Sequence, residues 1–355
     1  MKPMTVQAAQ PYHIHFAENY EGLRDTFYEI FPSQTKLCMV SDSHVAPLYA
    51  REIGLAMGRD IPTFVFEAGE AQKHFGTLQD MYAFLLAHKM DRKSCVLALG
   101  GGVAGDMAGF AAATFMRGIP FVQLPTSLLA QVDASVGGKT AVDFGGVKNL
   151  VGAFHQPRMV YINLRTLRTL PAVEFASGMA EALKHGLIAD PAYYQFLADE
   201  AAAIQALEPA ALFRVVAGSC RVKAQVVAQD EKERGLREVL NFGHCVGHAV
   251  ESLSGYTLPH GHCVALGMVA ALEASCRLGA VSQGDVDTAR QRLLAYGLPV
   301  THHMDAQTVL QAMYTDKKVL DNALRVVLLS AVGQAYTHDA LSPEMVLDTL
   351  AALYA

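Results

Sequence analysis

The sequence lacks several features that would place it in other classes of protein. No run of about 18 apolar residues escapes interruption by glycine or a charged residue, so no membrane span is expected. Residues 1–16 contain no apolar core of roughly 7–15 residues, which argues against a signal peptide. The formal net charge of -6 argues against a general nucleic-acid binder. We therefore expect neither a membrane nor a nucleic acid as partner.

The cysteines show no sign of a metal or redox motif. The six of them form no CxxC pair, and most lie inside apolar runs. Reduced thiols in the core are expected, and with them a cytoplasmic location. Apolar residues make up 52% of the chain and charged residues 17%, which is typical of a folded protein. The 355 residues are enough for two domains with sizeable cores.

Residues 95–149 contain a candidate anion-binding turn. An apolar run at residues 95–99 has the length of a buried parallel strand. Three glycines follow, then Gly105 and Asp106, and then a helical pattern over residues 107–116. In a strand, glycine turn and helix in this order, the backbone can approach a pyrophosphate and the first free N–H groups of the helix face it.

A plain tight turn is the alternative explanation for three glycines alone. The charged residues that follow argue against it, because they lie in a region otherwise rich in glycine and alanine, where charges have little structural role. They are Arg117, Asp133, Lys139 and Lys148. We therefore expect anion chemistry in this stretch.

Strand-like and helical segments alternate in the first half of the chain. Strands are predicted at residues 36–41, 63–66, 95–99 and 120–124, and helices at 45–57, 78–88 and 107–116. This alternation predicts a Rossmann-like α/β domain with a mostly parallel sheet, which we assign to residues 1–165. Nucleotide ligands should lie at the carboxyl ends of its strands.

Helix follows helix in the second half. The predicted helices are residues 173–188, 191–206, 212–229, 236–253, 262–278, 282–293 and 343–353, with short strand-like runs within 319–329. Asp190 as N-cap and Pro191 at the first helical position mark one helix start. We expect an all-helical domain over residues 166–355, with a cleft between the two domains.

Ionisable side chains recur at suggestive spacings in the helical half. Glu181 and Lys184 are three residues apart on one predicted helix face. His244 and His248 are four apart on another, and His260 follows a turn signal. One carboxylate and two imidazoles are the usual composition of a catalytic zinc site. Spacing alone leaves two possibilities open: the set Glu181, His244 and His260, or a set that includes His185, His248 or His262.

Basic residues gather around the same segments. They are Lys184, Lys223, Arg237, Lys317 and Lys318. A solvated helix surface is the alternative explanation, and for Lys223 it is a plausible one. Lys184 and Arg237 lie close in sequence to the metal candidates, which argues for an anionic substrate. Together with the basic residues of the first half, they suit a substrate with two anionic groups, such as phosphate and carboxylate.

Several long motifs in the chain are similar to those of a known enzyme family. They are residues 100–157, the segments SGMAEALKHGLI and DEKERGLREVLNFGHCVGHAVE, and the late DKK. These motifs closely resemble the 3-dehydroquinate synthases, which belong to the sugar-phosphate cyclases, and the likeness is collinear from about residue 40 to residue 329. The resemblance implies an α/β domain that binds NAD and a helical domain that binds a metal and the substrate.

The resemblance also implies roles for single residues. Zinc or cobalt would be bound by Glu181, His244 and His260, which removes the ambiguity left by spacing, and His248 would be a neighbouring acid/base or phosphate-side group. NAD would be contacted by Asp42, Glu70, Lys73, Gly102, Val103, Ala104, Gly105, Asp106, Thr126, Ser127, Lys139, Lys148, Thr166, Leu167, Arg168 and Thr169. The substrate pocket would contain Arg117, Asp133, Lys139, Lys148, Asn149, Lys184, Lys223, Glu233, Arg237, Asn241 and Lys317.

The implied reaction converts 3-deoxy-D-arabino-heptulosonate 7-phosphate into 3-dehydroquinate and phosphate, in the shikimate pathway towards chorismate and the aromatic amino acids. Bound NAD oxidises a ring hydroxyl, phosphate is eliminated, the same cofactor returns its hydride, and an aldol step closes the new ring. The resemblance therefore implies a phosphate-eliminating carbon–oxygen lyase with no net redox change. It also suggests a homodimer.

Three positions depart from the commonest family pattern. His262 stands where glutamate is usual, Cys245 where threonine is frequent, and Ser127 in place of a second threonine. His262 removes a negative charge two residues from an expected metal ligand, which bears on how the metal is tuned and on the substrate.

Other functions are weighed against this one. They are a sister cyclase such as a 2-deoxy-scyllo-inosose or valiolone-type synthase, a metal-dependent polyol dehydrogenase, and a non-catalytic NAD-binding protein. His248, and Arg237 as a partner for a carboxylate, favour the 3-dehydroquinate synthase reaction over the sister cyclases.

Overall fold

The structure, a computed structural model, describes residues 2–315, 319–320 and 323–354. The chain divides into two compact units, Met1–Leu170 and Pro171–Ala355. The predicted domain division after residue 165 falls within the short helical segment Leu164–Arg168, which belongs to the first unit.

The first unit is built on a parallel sheet. Its strands are β1 Met4–Val6, β2 Tyr12–Ala17, β3 Leu37–Asp42, β4 Thr63–Phe66, β5 Cys95–Gly100, β6 Phe121–Pro125, β7 Lys139–Phe144, β8 Val147–Phe154 and β9 Met159–Asn163. Seven of them form one sheet in the order β1-β2-β9-β6-β5-β3-β4, and β7 and β8 form a separate hairpin. Every pairing in the larger sheet is parallel except that of β1 with β2. The Rossmann-like prediction is confirmed.

Helices cover both faces of this sheet. They are α1 Leu23–Ile30, α2 Ala46–Met57, α3 Phe75–Ala87 and α4 Gly102–Thr114. Successive side chains of β5 point to opposite faces: Val96 and Ala98 join the core cluster under α3 and α4, whereas Leu97 and Leu99 join the cluster under α1 and α2. Because both faces of the strand are buried, β5 is apolar throughout.

The second unit is helical for most of its length, as expected, but it is not all-helical, because it also contains a small antiparallel sheet. Its helices are α5 Ala172–Ala189, α6 Pro191–Asp199, α7 Ala201–Gln205, α8 Pro209–Gln229, α9 His244–Leu253, α10 His260–Arg277, α11 Gln283–Ala295, α12 Ala306–Thr315 and α13 Pro343–Ala351. Strands β10 Val319–Leu320, β11 Ala323–Ala331 and β12 Gln334–Leu341 form an antiparallel sheet. Asp190 caps α6 by accepting the Tyr193 N–H at 2.9 Å. None of the helices in the described part of the chain has the length and apolarity needed to cross a membrane.

The predicted continuous helix over residues 236–253 is wrong. The chain forms a short 3-10 segment, Leu236–Asn241, turns at Gly243, and begins α9 at His244. Gly243 has φ of 78°, and a Cβ there would lie 2.8 Å from the Met268 backbone nitrogen and 2.9 Å from the Val264 carbonyl oxygen. Close packing of α10 therefore requires glycine at this turn, and the turn places His244 at the start of a helix.

Candidate functional site

The carboxyl ends of β3, β5 and β6 meet at one edge of the large sheet. Gly100 ends β5 with φ of 152°, and a Cβ there would lie 2.7 Å from the Ala104 Cβ and 3.3 Å from an Asp42 carboxylate oxygen. Only glycine fits this position. The Thr126 N–H, just after β6, donates to the Gly100 carbonyl at 2.9 Å. The glycine turn therefore lies between Asp42 and Thr126, as expected for a nucleotide site at this edge.

The start of α4 is open to an anionic ligand. Gly101 is its N-cap, and no side chain in the described part of the chain caps this helix. The Asp42 carboxylate is held beside the turn by the N–H groups of His44 and Val45, both at 2.9 Å. Unpaired first-turn N–H groups and a glycine-lined approach fit the pyrophosphate of a dinucleotide, so the residues present fit NAD.

A buried lysine joins three separate segments behind this turn. The Lys73 ammonium is 4% exposed and donates to Asp106 in the first two turns of α4, at 2.7 Å, and to the Asn149 amide oxygen on β8. Glu70 lies 3.8 Å from Lys73 and 3.6 Å from Lys148. Burial alone would lower the pKa of Lys73, but the carboxylates of Asp106 and Glu70 raise it, so the ammonium stays charged. We call these five residues the Lys73 network.

The hairpin of β7 and β8 contributes Lys148 and Asn149 to the Lys73 network. Asn149 has φ of 51°, and its N–H donates to the Asp143 carboxylate at 2.8 Å. Asp143 in turn donates its own N–H to the Lys73 carbonyl at 2.7 Å. These bonds hold Lys148 and Asn149 beside the start of α4. Lys139, on the first residue of β7, is exposed.

Some predicted cofactor contacts lie in the core of the first unit. Thr166 and Leu167 are both 1% exposed, and the Gln131 amide donates to the Thr166 hydroxyl at 3.0 Å. Arg168 and Thr169 are exposed, and the Thr169 hydroxyl is hydrogen-bonded to Tyr49. A direct NAD contact from this segment stays a prediction, and burial favours Arg168 and Thr169 as the side chains that could make one.

Two predicted substrate residues of the first unit lie apart from the glycine turn. Arg117 follows the carboxyl end of α4, at the edge where β6 begins, so the length of the helix separates it from Gly102. Met116 and Arg117 both adopt positive φ, 51° and 67°. Asp133 lies in the one-turn π-helical segment Ala130–Ala134. Their contact with substrate stays a prediction.

In the second unit, three helices bring one carboxylate and two imidazoles together. Glu181 lies in the middle of α5, whereas His244 and His260 are the first residues of α9 and α10. One ligand atom from each lies within 4.8 Å of the other two. The Glu181 Oε1 atom is 3.5 Å from Nε2 of His244 and 3.5 Å from Nε2 of His260. The structure thus brings together one of the sets that spacing alone left open, and the metal role of its members stays a prediction.

The other candidate ligands are placed differently. His248 lies one turn beyond His244, and its ring centroid is 5.3 Å from that of His244 and 6.0 Å from that of His260. It forms a second group of donor atoms with Glu251 and His260. His262 is half-buried, burial lowers its pKa, and it joins no donor group found in the described part of the chain. His185 is buried in α5, and one of its ring nitrogens lies within 4.8 Å of a Glu181 carboxylate oxygen.

Electrostatics of the cluster favour a bound cation. Burial would raise the pKa of Glu181, but Lys184, which contacts its second oxygen, and the two histidines hold that pKa well below its usual range. Burial and the Lys184 charge keep the pKa of His244 well below its usual value. Burial also opposes charge on His260, but Glu181 and Glu251 raise its pKa to about 9. The cluster therefore contains an ionised carboxylate, a neutral imidazole and a position that favours positive charge.

These residues fit a divalent metal ion. The Glu181 side chain is wholly buried, and within the described residues neither of its oxygens has a hydrogen-bond partner of normal geometry. The His244 Nδ1 atom lies 3.1 Å from the Phe242 carbonyl, which can only accept, so this nitrogen carries the hydrogen and Nε2 offers its lone pair. One carboxylate oxygen and two imidazole nitrogens suit zinc or cobalt.

The remaining predicted substrate residues of the second unit cluster around Asp230. Its carboxylate accepts the N–H groups of Arg234 and Gly235 at 2.9 Å and that of Arg237 at 3.1 Å. Arg237 is 1% exposed. Asn241 donates to Glu233 at 2.7 Å. These bonds fold the segment that precedes α9 into one compact loop.

The other predicted basic residues of the second unit are Lys223, Lys317 and Lys318. Lys223 is buried in α8, so a solvated helix surface does not explain this residue. Lys317 and Lys318 lie outside the described residues.

Glu251 was missed by the sequence reasoning. It is 3% exposed, and its Oε2 atom lies 3.6 Å from the His260 Nδ1 atom. A signal was present: His244, His248 and Glu251 are spaced by four and three residues, which places them on one face of a helix.

Comparison with known proteins identifies related families. The family model described as 3-dehydroquinate synthase N-terminal matches residues 63–177, and the one described as 3-dehydroquinate synthase C-terminal matches residues 178–319. A curated 3-dehydroquinate synthase from Pseudomonas putida (strain W619) is 45% identical over 340 residues, which span 94% of this chain and 93% of the relative.

Solved structures of two sugar-phosphate cyclases have the same fold. A 2-deoxy-scyllo-inosose synthase, complexed with carbaglucose-6-phosphate, NAD+ and Co2+, is 25% identical with a TM-score of 0.89, over 98% of this chain and 99% of that one. The 2-epi-5-epi-valiolone synthase from Streptomyces hygroscopicus subsp. jinggangensis 5008, with NAD+ and Zn2+ bound, is also 25% identical with a TM-score of 0.89, over 96% of both chains.

Proposed function

The chain belongs to the 3-dehydroquinate synthase family, and we propose that it converts 3-deoxy-D-arabino-heptulosonate 7-phosphate into 3-dehydroquinate and phosphate. This reaction would place it in the shikimate pathway. The observation that carries the proposal is the convergence of Glu181, His244 and His260 in a chain 45% identical to an enzyme of that name. The reaction class is that of a phosphate-eliminating carbon–oxygen lyase.

The proposed cofactors are NAD and one divalent metal ion, zinc or cobalt. The glycine turn beside Asp42 would hold NAD, and Glu181, His244 and His260 would hold the metal. When bound, NAD supplies a hydride acceptor that later returns the hydride, and the metal supplies a Lewis acid beside the reacting oxygen. The two related cyclase structures, one with NAD+ and Co2+ and the other with NAD+ and Zn2+, support this choice.

The side chains of the protein would bind and orient the substrate and would transfer protons. Lys148 and Asn149, held by the Lys73 network, would bind an anionic group of the substrate, and Arg237 would bind its carboxylate. His248 is half-buried beside the proposed metal ligands, and its imidazole can donate or accept a proton. It is the proposed general acid/base.

A homodimer in the cytoplasm is the proposed form of the protein. The family resemblance supports the dimer. The thiols support the location: all six cysteines are free, and five of them are buried. A phosphorylated sugar acid is the proposed partner, with no role for nucleic acid.

The first experiment is phosphate release from 3-deoxy-D-arabino-heptulosonate 7-phosphate by metal-loaded protein with catalytic NAD, with glucose 6-phosphate as the parallel substrate. Many turnovers on the heptulosonate without accumulation of NADH are expected. Activity on glucose 6-phosphate alone would favour a sister cyclase, for which His262 is the sequence clue. NADH that accumulates on simple polyols, with no phosphate released, would overturn the proposal in favour of a dehydrogenase.

A further inference from the structure

The ring of His260 lies between two buried carboxylates. Its Nε2 atom faces Glu181 at 3.5 Å, and its Nδ1 atom faces Oε2 of Glu251 at 3.6 Å. Glu181 belongs to the proposed metal site, whereas Glu251 has no role in the function described so far. Glu251 is 3% exposed. Burial of a carboxylate costs considerable free energy unless a neighbouring group stabilises its charge.

The Nδ1 atoms of the two proposed imidazole ligands, His244 and His260, face different kinds of acceptor. The Nδ1 atom of His244 faces a neutral backbone carbonyl, that of Phe242, at 3.1 Å. The Nδ1 atom of His260 faces a full carboxylate. An acceptor at Nδ1 keeps the hydrogen on that nitrogen and leaves the Nε2 lone pair for the metal, and a charged acceptor also makes the ring a more basic ligand.

Helix geometry explains how Glu251 reaches its place. His244 and Glu251 lie on one face of α9, two turns apart, and His260 begins α10, so the carboxylate approaches His260 from the side away from Glu181. The two nitrogens of one imidazole point in roughly opposite directions, and one ring therefore cannot present both to a single ion. Glu251 is on the wrong side of His260 to share an ion with Glu181 and His244.

We propose that Glu251 is a positioning residue for the metal ligand His260. Its carboxylate lies on the Nδ1 side of the ring, where its charge favours the hydrogen on Nδ1, fixes the tautomer and the ring orientation, and strengthens metal binding without ligating the ion. The inference rests on the proposed metal-dependent function, which it deepens by assigning the group that tunes one ligand.

The test is the affinity of the full-length protein for Zn2+, measured by competition with a chelator, and the absorption spectrum of its Co2+ form. Glu251→Gln keeps an acceptor of the same shape and removes the charge. Its Zn2+ affinity should fall roughly 10- to 100-fold, with the Co2+ bands of the wild type retained. Glu251→Asp keeps the charge on a shorter side chain and should lose less.

A matched control is available on the neighbouring helix. Glu273 is a carboxylate in α10 that is 8% exposed and pairs with Arg290 at 3.0 Å, remote in sequence from every proposed ligand. Glu273→Gln should bind Zn2+ within about twofold of the wild type, since a change of buried charge by itself does not alter the ligands. If Glu251→Gln does not fold, Glu251→Asp carries the comparison with this control.

The outcomes separate this inference from the proposed function. A wild type that binds one Zn2+ per chain, together with a Glu251→Gln variant of equal affinity, would overturn the positioning role alone. A Co2+ spectrum that shows a changed coordination number in Glu251→Gln would overturn it by making Glu251 a ligand. A wild type that binds no metal would overturn the proposed function itself, and the positioning role with it.

Discussion

The Lys73 network of the first unit and the metal cluster of the second both bury charge, but in opposite ways. In the first unit, one buried ammonium is surrounded by the oxygens of Asp106, Asn149 and Glu70, so the charges satisfy one another. In the second, a wholly buried carboxylate contacts the Lys184 ammonium through one oxygen, but its other oxygen faces two imidazole nitrogens, and lone pairs converge there. A self-satisfied network holds backbone segments in place, whereas converging lone pairs bind a cation. The Lys73 network therefore supports a neighbouring ligand site, whereas the cluster in the second unit is itself a candidate metal site.

The largest expected effect comes from His244→Ala. Removal of this imidazole should abolish metal binding and lower turnover by about a thousandfold or more, because the Lewis acid is worth several kcal/mol to the transition state. NAD binding should stay within about twofold, since the glycine turn belongs to the first unit. Metal analysis and an NAD titration test this. Loss of NAD binding with the metal retained would contradict the assignment of the NAD and metal sites to separate units.

Lys184→Met tests the charge balance of the second unit without replacing a proposed metal ligand. Lys184 contacts the buried Glu181 carboxylate, and its removal leaves that charge without its ammonium partner. Metal-free protein should lose about 3–5 kcal/mol of unfolding free energy. Urea unfolding with and without Zn2+ should show that the ion restores part of this loss. Lys223→Met, at a buried lysine of α8, is the matched control, and an equal metal-dependent recovery there would contradict the prediction.

Lys73→Met tests the first unit in the same manner. The hydrogen bonds from this ammonium to Asp106 and Asn149 would be lost, and with them the link between α4 and the hairpin. NAD affinity should fall by roughly tenfold or more, since such bonds contribute about 1.5–3 kcal/mol. Metal stoichiometry should not change. A weaker metal affinity in this variant would show that the two clusters are not independent.

The smallest effect is expected from Lys148→Ala. Its side chain is 24% exposed, and its partner Glu70 lies at 3.6 Å, so solvent screens the pair and little stability depends on it. Substrate capture, measured as KM, should weaken by about tenfold, with a smaller change in NAD affinity. The reverse result would assign Lys148 to the cofactor site.

Local order was largely predictable from the sequence. Apolar runs bounded by glycine predicted β5 and the turn that follows it, because a buried strand and a glycine turn depend on neighbouring residues. The boundaries were less predictable: α4 begins at Gly102, five residues before the predicted start. The break at Gly243 was missed because the helical period continues through it, and only contact with α10 imposes the turn.

The parallel α/β unit, the largely helical second unit and, through long motifs, the family could all be predicted from the sequence. Those features depend on local periodicity and on residues that are contiguous in the chain. Which ionisable groups meet could not be predicted in this way, because it depends on the packing of separate helices. Glu181, His244 and His260 lie on three helices far apart in sequence, and the packing of α9 against α10 also brings Glu251 to the back of His260. Spacing describes one helix at a time, and a metal site is made by the contact between several.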